Sequence, residues 1–147
     1  MSSERLLELN KSMPEDKQFY VGQKAIIEKD GEVLVLFEST EANLDYPGGK
    51  IQEGELDFAE ALKREVREEA NLEIEVGAPF ATWYYEIKKG RSMGKKIFLV
   101  AYKCKYLSGE VNLSEEHVNY RWVNKDNFHE LDTGGDYFGV LKKYFSK

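Results

Sequence analysis

Tyr46-Pro47-Gly48-Gly49-Lys50-Ile51-Gln52-Glu53-Gly54-Glu55, running on into Leu56–Leu72, carries most of what can be read from this chain. It is a glycine-rich loop feeding a short, charged helix. Pro47 restricts φ, whereas Gly48 and Gly49 open backbone angles that other residues avoid, so the chain turns here. Asp57 reads as an N-cap, and Glu60 three residues later completes a capping-box pattern. Residues 58–70 lack Gly and Pro and are rich in Ala, Leu, Lys, Arg and Glu, which predicts a helix.

The faces of that helix differ. At about 100° per residue, Phe58, Ala59, Leu62, Val66 and Ala70 form one apolar stripe. Glu60, Lys63, Arg64 and Arg67 fall largely on the solvent side. Glu65, Glu68 and Glu69 share a third sector, because residues three and four apart are neighbours on a helix. Glu69 projects close to the Phe58–Leu62 line and is expected to be partly withdrawn from water. Two readings stand on charge alone. The acids pair with Lys63, Arg64 and Arg67 on a solvated face, or they gather beside the buried face because a cation compensates them. The wheel favours the second, and oxygen ligands suit a hard ion such as Mg²⁺ or Mn²⁺.

Gly49, five residues, Glu55, then Arg64-Glu65-Val66-Arg67-Glu68-Glu69-Ala70-Asn71-Leu72 resembles the signature of the Nudix hydrolase family. The motif spans about a sixth of the chain. Two departures are visible. The family has one residue fewer between the positions of Glu55 and Arg64, here separated by Leu56–Lys63, and it has Gly where this chain has Asn71. The extra residue is expected to lengthen the loop before the helix and to bear on any Glu55–Arg64 contact. Asn tolerates a left-handed cap, so Asn71 is a mild change.

The chain has 147 residues, one domain's worth, and a formal charge of −6. That charge argues against broad binding to polymeric nucleic acid. No run of about 20 apolar residues exists, and residues 1–13 lack the apolar core of a secretory signal. Cys104 is the only cysteine, so no internal disulfide is expected, and a reducing cytoplasm is. Residues 1–17 read as an N-terminal helical extension capped by Ser2 or Ser3, and residues 18–147 as a single domain. Strands are expected at 18–28 and 33–37, joined by the hairpin signal Asp30-Gly31, with a polar connection over 38–44. Others are expected at 72–76, 80–87, 96–106 and 120–123, with Gly77-Ala78-Pro79 separating the first pair. A brief helix at 125–131 and a C-terminal helix at 136–145 complete the pattern. Strands flanked by helices suggest a layered sandwich. The resemblance implies an α+β fold, an α/β/α sandwich with a mixed β-sheet between helices.

The resemblance also implies hydrolysis of a nucleoside diphosphate linked to another group. Glu65, Glu68 and Glu69 would bind Mg²⁺, with Mn²⁺ as a substitute, joined by the Gly49 carbonyl. Arg64 would orient the glutamates, and Glu55 would hold Arg64. The general base is Glu68, or Glu115 or Glu116 in the loop before the Trp122 strand. Gly48, Lys50, Trp83 and Tyr85 are the substrate-binding candidates, although aromatics at such spacing serve a core more often than a ligand. His117 is read as incidental, and His129 receives no role. A small-molecule partner and a homodimer are the remaining expectations. The alternative is a nucleotide-sensing or protein-interaction module that keeps the fold without catalysis, and an isomerase acting on a prenyl diphosphate has no distinct support.

Overall fold

The computed structural model describes residues 2–39 and 43–146, so part of the connection expected over 38–44 lies outside the described residues. An N-terminal helix α1 (Ser3–Ser12), capped by the Ser2 hydroxyl, precedes the sheet, with Leu6, Leu7 and Leu9 exposed. Then come β1 (Tyr20–Lys29), β2 (Glu32–Glu38), β3 (Leu44–Asp45), β4 (Gly48–Lys50), α2 (Phe58–Ala70), β5 (Glu73–Glu86), β6 (Lys96–Ser108) and β7 (His117–Val123). A 3-10 turn (Phe128–Leu131) leads to α3 (Gly135–Phe145). The hairpin between β1 and β2 puts both Asp30 (φ 51°) and Gly31 (φ 82°) in the left-handed region, as the Asp-Gly pair predicts.

The seven strands form one mixed sheet with the order β3-β2-β1-β6-β5. β1 runs parallel to β6 along its length and antiparallel to β2 and β4, while β7 pairs with β2. One face, with Ile26, Val35, Leu99 and Ala101, is covered by Phe138, Val140 and Leu141 of α3. The opposite face, with Ala25, Ile27, Leu34 and Leu36, is covered by Leu62, Val66 and Ala70 of α2. The α/β/α sandwich is therefore present, in the α+β class.

Three local expectations are corrected. Gly77-Ala78-Pro79 does not end a strand. β5 runs through it, with register shifts between Val76 and Pro79 and between Pro79 and Ala81. β5 is an edge strand, where a bulge accommodates a residue without an N–H. The buried stripe of α2 is Ala61, Leu62, Val66, Glu69 and Ala70. Phe58 and Ala59 stay exposed because they occupy the first turn, beyond the sheet's cover. Residues 44–45 and 48–50 add two short strands inside what reads as connection and loop.

Candidate functional site

α2 starts and stops as its sequence dictates. Asp57 accepts a hydrogen bond from the Glu60 amide at 3.1 Å, and Asn71 closes the helix at φ 61°, ψ 34°, the left-handed cap that Asn tolerates. The extra residue before Arg64 is absorbed in the preceding loop. Leu56, 91% exposed, projects into solvent, and the Gln52 amide closes a turn on Glu55 Oε1 at 2.8 Å. The helix keeps its phase, and the Glu55–Arg64 contact forms. Arg64 Nη2 lies 3.2 and 3.1 Å from the two Glu55 oxygens, and Nε 3.3 Å from Oε2. The same guanidinium donates to Glu65 at 2.9 Å and to Glu68 at 3.1 and 3.0 Å. One planar fork thus orients three carboxylates.

β4 is built for close approach. The Gly48 amide donates to Glu69 Oε2 at 3.0 Å. A Cβ on Gly49 would sit 2.6 Å from Glu65 Cδ and Oε2, so the carboxylate rests against bare backbone. Gly49→Ala is expected to leave the fold intact, because a flexible side chain can turn aside. Turnover should fall roughly tenfold or more as Glu65 is displaced; matching melting temperatures with wild-type kcat would contradict this placement.

A cleft of about 480 Å³ opens here, with Gly22, Ile97 and Leu99 in its lining, Gly48, Gly49 and Glu69 along one wall, and Glu65, Glu68, Lys50, Tyr85 and Glu116 around it. The structure brings together most of the candidate residues. Glu55 stands just outside, acting through Arg64. Glu115 is not in the lining; its carbonyl accepts from the Ser39 hydroxyl at 2.7 Å. Trp83 is corrected to a core residue: it is 8% exposed and meets Tyr137 edge-to-face, because it lies beneath α3, whereas Tyr85, two residues further along and on the same strand face, reaches the cleft.

The electrostatics fit a cation. Burial pushes the Glu69 carboxyl up to about 7, only partly offset by the Gly48 hydrogen bond and the Lys24 charge. Burial also raises Glu65, against the pull of Arg64 and with repulsion from Glu68 and Glu116. Among the described residues no three His, Cys, Asp or Glu side chains converge tightly enough to hold an ion unaided. The donor set nevertheless suits Mg²⁺, which takes a few carboxylates and completes its shell with waters and substrate phosphates rather than a protein cage.

Sequence reading missed a buried network at one end of the cleft. Lys24 Nζ lies 3.0 Å from Asp45 Oδ1 and donates to the Tyr46 carbonyl at 3.3 Å. His117 Nε2 lies 2.9 Å from Asp45 Oδ2, and His117 is therefore not incidental. The signal was a single charge inside an apolar strand, Lys24 beside Ala25-Ile26 and Asp45 between Leu44 and Tyr46, which calls for a partner when buried. Burial raises the Asp45 carboxyl and lowers the His117 imidazole. The Lys24 charge and the His117 hydrogen bond outweigh this for Asp45, which ends below its ordinary value. The hydrogen bond to Asp45 and the Asp45 and Glu69 charges outweigh it for His117, which ends above its own. The Asp45 contribution is present above about pH 4 and lost as pH falls through its lowered value. The imidazolium contribution is complete below about pH 6.5 and lost as pH rises through its raised value. The melting-temperature gap between wild type and His117→Gln should thus be widest at about pH 5–6 and narrow toward pH 9. A gap that does not change with pH would show that the imidazole stays neutral.

A mixed sheet between helices, with an arginine-clamped acidic helix facing a glycine strand, defines a phosphate-handling hydrolase scaffold. A family model described as NUDIX domain matches residues 21–143. The chain belongs to the NUDIX domain family and is a Nudix hydrolase, acting on acid anhydrides in phosphorus-containing compounds. Among solved structures, a MutT protein from Methanosarcina mazei Go1 is 26% identical, with a TM-score of 0.71, covering 91% of this chain and 100% of that one. The E. coli ORF135 protein is also 26% identical, with a TM-score of 0.69, over 86% of this chain and 89% of that one. A C. elegans Ap4A hydrolase binary complex shares the fold at 24% identity, with a TM-score of 0.68 and coverage of 85% and 94%. None of the curated proteins compared matches the chain. No described helix is long and apolar enough to cross a membrane.

Proposed function

We propose that this hydrolase is a divalent-metal-dependent pyrophosphohydrolase that cleaves the diphosphate of a nucleoside diphosphate linked to a further group. The observation that carries this is the Arg64 fork, which directs Glu65 and Glu68 at the cleft while Glu65 rests on Gly49. Residues 18–147 form the catalytic domain, and residues 1–17 are an extension to it. The C. elegans neighbour is a hydrolase of Ap4A, which supports a nucleotide substrate class for this chain.

Glu65, Glu68 and Glu69 would hold Mg²⁺ or Mn²⁺, together with the Gly49 carbonyl. When bound, the ion neutralises charge on the diphosphate oxygens and acidifies water. The chain's own residues supply the rest. Arg64 holds the Glu65 and Glu68 carboxylates in one orientation, and Glu55 keeps Arg64 in place. Gly48 and Gly49 admit the diphosphate against backbone, and Lys50 stands in the lining as a cation for it. Tyr85 offers a half-exposed ring for a base. Glu116, in the cleft lining, is positioned to take a proton from water, in preference to Glu115, with Glu68 as the other candidate. Water adds across the P–O–P anhydride, one phosphorus gains the oxygen, and the other product leaves as a phosphate.

The test is a hydrolysis screen over nucleoside triphosphates, oxidised nucleotides, nucleotide sugars and dinucleotides, with Mg²⁺, with Mn²⁺ and with EDTA. Metal-dependent cleavage of one class is expected, abolished by EDTA. Turnover that persists in EDTA would remove the ion from the mechanism.

A further inference from the structure

The loop between β6 and β7 carries Glu116; Val111 and Leu113 pack its first half against the core under α2, yet Ser114 to Glu116 has no apolar side chain to fix a carboxylate over the cleft. Tertiary bonds do so instead. The Asn112 and Ser114 amides donate to the Ala70 and Glu69 carbonyls, both at 3.1 Å. The Ser39 amide donates to the Glu116 carbonyl at 2.9 Å, and the Ser39 hydroxyl to that of Glu115. At the start of β7 the register slips between Phe37 and Glu38, so that Phe37 faces Asn119 while Glu38 faces His117. This bulge turns the His117 ring inward, where it is 6% exposed, immediately after Glu116. There Nε2 meets Asp45, itself 6% exposed, while Nδ1 is buried with no partner among the described residues. Asp45 is the sole polar anchor of that ring among the described residues. Its other oxygen faces Lys24, whose ammonium also holds the Tyr46 carbonyl just before Gly48 and Gly49.

We propose that the Asp45–His117 pair is a positioning clasp: it ties the Glu116 loop to β3, which ends just before the glycine strand β4, holds Glu116 facing Glu65, and thereby sets kcat. Asp45 and His117 are positioning residues, and Glu116 is the group through which they act. The proposal rests on the reading of the cleft as the hydrolytic site with Glu116 as the base. The physical need is the distance tolerance of proton transfer: a loop free to drift by about 1 Å costs up to two orders of magnitude in rate.

The experiment is a double-mutant cycle of His117→Gln and Glu116→Gln on the best substrate of the screen, with amide hydrogen exchange measured on each variant. His117→Gln is expected to lower kcat roughly tenfold or more with KM nearly unchanged, and to speed exchange across residues 112–117 while the rest of the sheet stays protected. On the Glu116→Gln background the same change should cost little more. Equal losses on both backgrounds, or unchanged exchange in the loop, overturn the clasp while leaving the hydrolase reading intact. Wild-type turnover by Glu116→Gln alone removes Glu116 as the base and the clasp with it. Asp45→Asn, which keeps the shape and an oxygen beside Lys24 but loses the charge that holds the ring, serves if His117→Gln does not fold. It should show the same pattern at smaller size, and its absence overturns the proposal.

Discussion

Glu69→Gln should lower kcat by at least about a hundredfold and leave the protein as stable as before, or more so. Gln keeps the shape of the side chain and an oxygen to accept the Gly48 amide, but loses the charge that would face a cation. The second half of the expectation comes from burial. Glu69 is 8% exposed, and its carboxyl is pushed from 4.5 up to about 7. The neutral form is therefore the one that the apo fold accepts. Its contribution to stability is present below about pH 4.5 and lost as pH rises through about 7, so at pH 8 without metal the ionised group is a cost. Removing that charge should raise the melting temperature of the metal-free protein at pH 8. Added Mg²⁺ should then stabilise the wild type more than the variant, because an ion that binds the folded state shifts the equilibrium toward it. Wild-type turnover in the variant, or an equal response to Mg²⁺, would take Glu69 out of the site.

Gly48→Ala should act on the fold itself. Gly48 has φ +151°, and a Cβ there would lie 1.9 Å from the Gln23 carbonyl oxygen and 2.9 Å from Gln23 C and Lys24 Cα. All three are backbone atoms of β1, which is held in parallel register with β6 from Tyr20 to Glu28 and cannot step aside. A loss of at least about 3 kcal/mol is expected, or a fall in melting temperature on the order of 10 °C for a domain of this size. The contrast with Gly49 is informative. There the added atom meets the end of a side chain, and the penalty should fall on catalysis rather than on folding. Melting curves of the two variants, compared side by side, decide it: equal destabilisation would mean that β4 does not pack as described.

Much of this was legible in residue order. The bounds of α2, its Asp57 cap, the left-handed Asn71 and the hairpin at Asp30-Gly31 all depend on interactions within four residues, and they formed as read. So did the sector holding Glu65, Glu68 and Glu69, because helical periodicity sets it locally. The Glu55–Arg64 contact needed the structure, since whether an extra residue shifts the helix or only the loop depends on what holds the helix to the sheet. The continuity of β5 through Pro79 was hidden for the same reason: a partner strand, not the local propensity, decides whether a bulge survives.

Lys24, Asp45 and His117 mark the boundary most sharply. They are separated by 20 residues or more in the chain, and the lone charges of Lys24 and Asp45 among apolar neighbours call for a partner without saying which. Pairing one charge with another across a buried floor is a property of strand order and register, which no short window of sequence contains. Trp83 is the converse case, an aromatic whose type suits a ligand platform but whose place along β5 puts it under α3. Local chemistry, readable in order along the chain, established the helix, its caps and its acidic face. Packing at long range established which carboxylates meet the cleft, which histidine is buried, and which glycine the fold cannot give up, because those depend on what lies across the sheet.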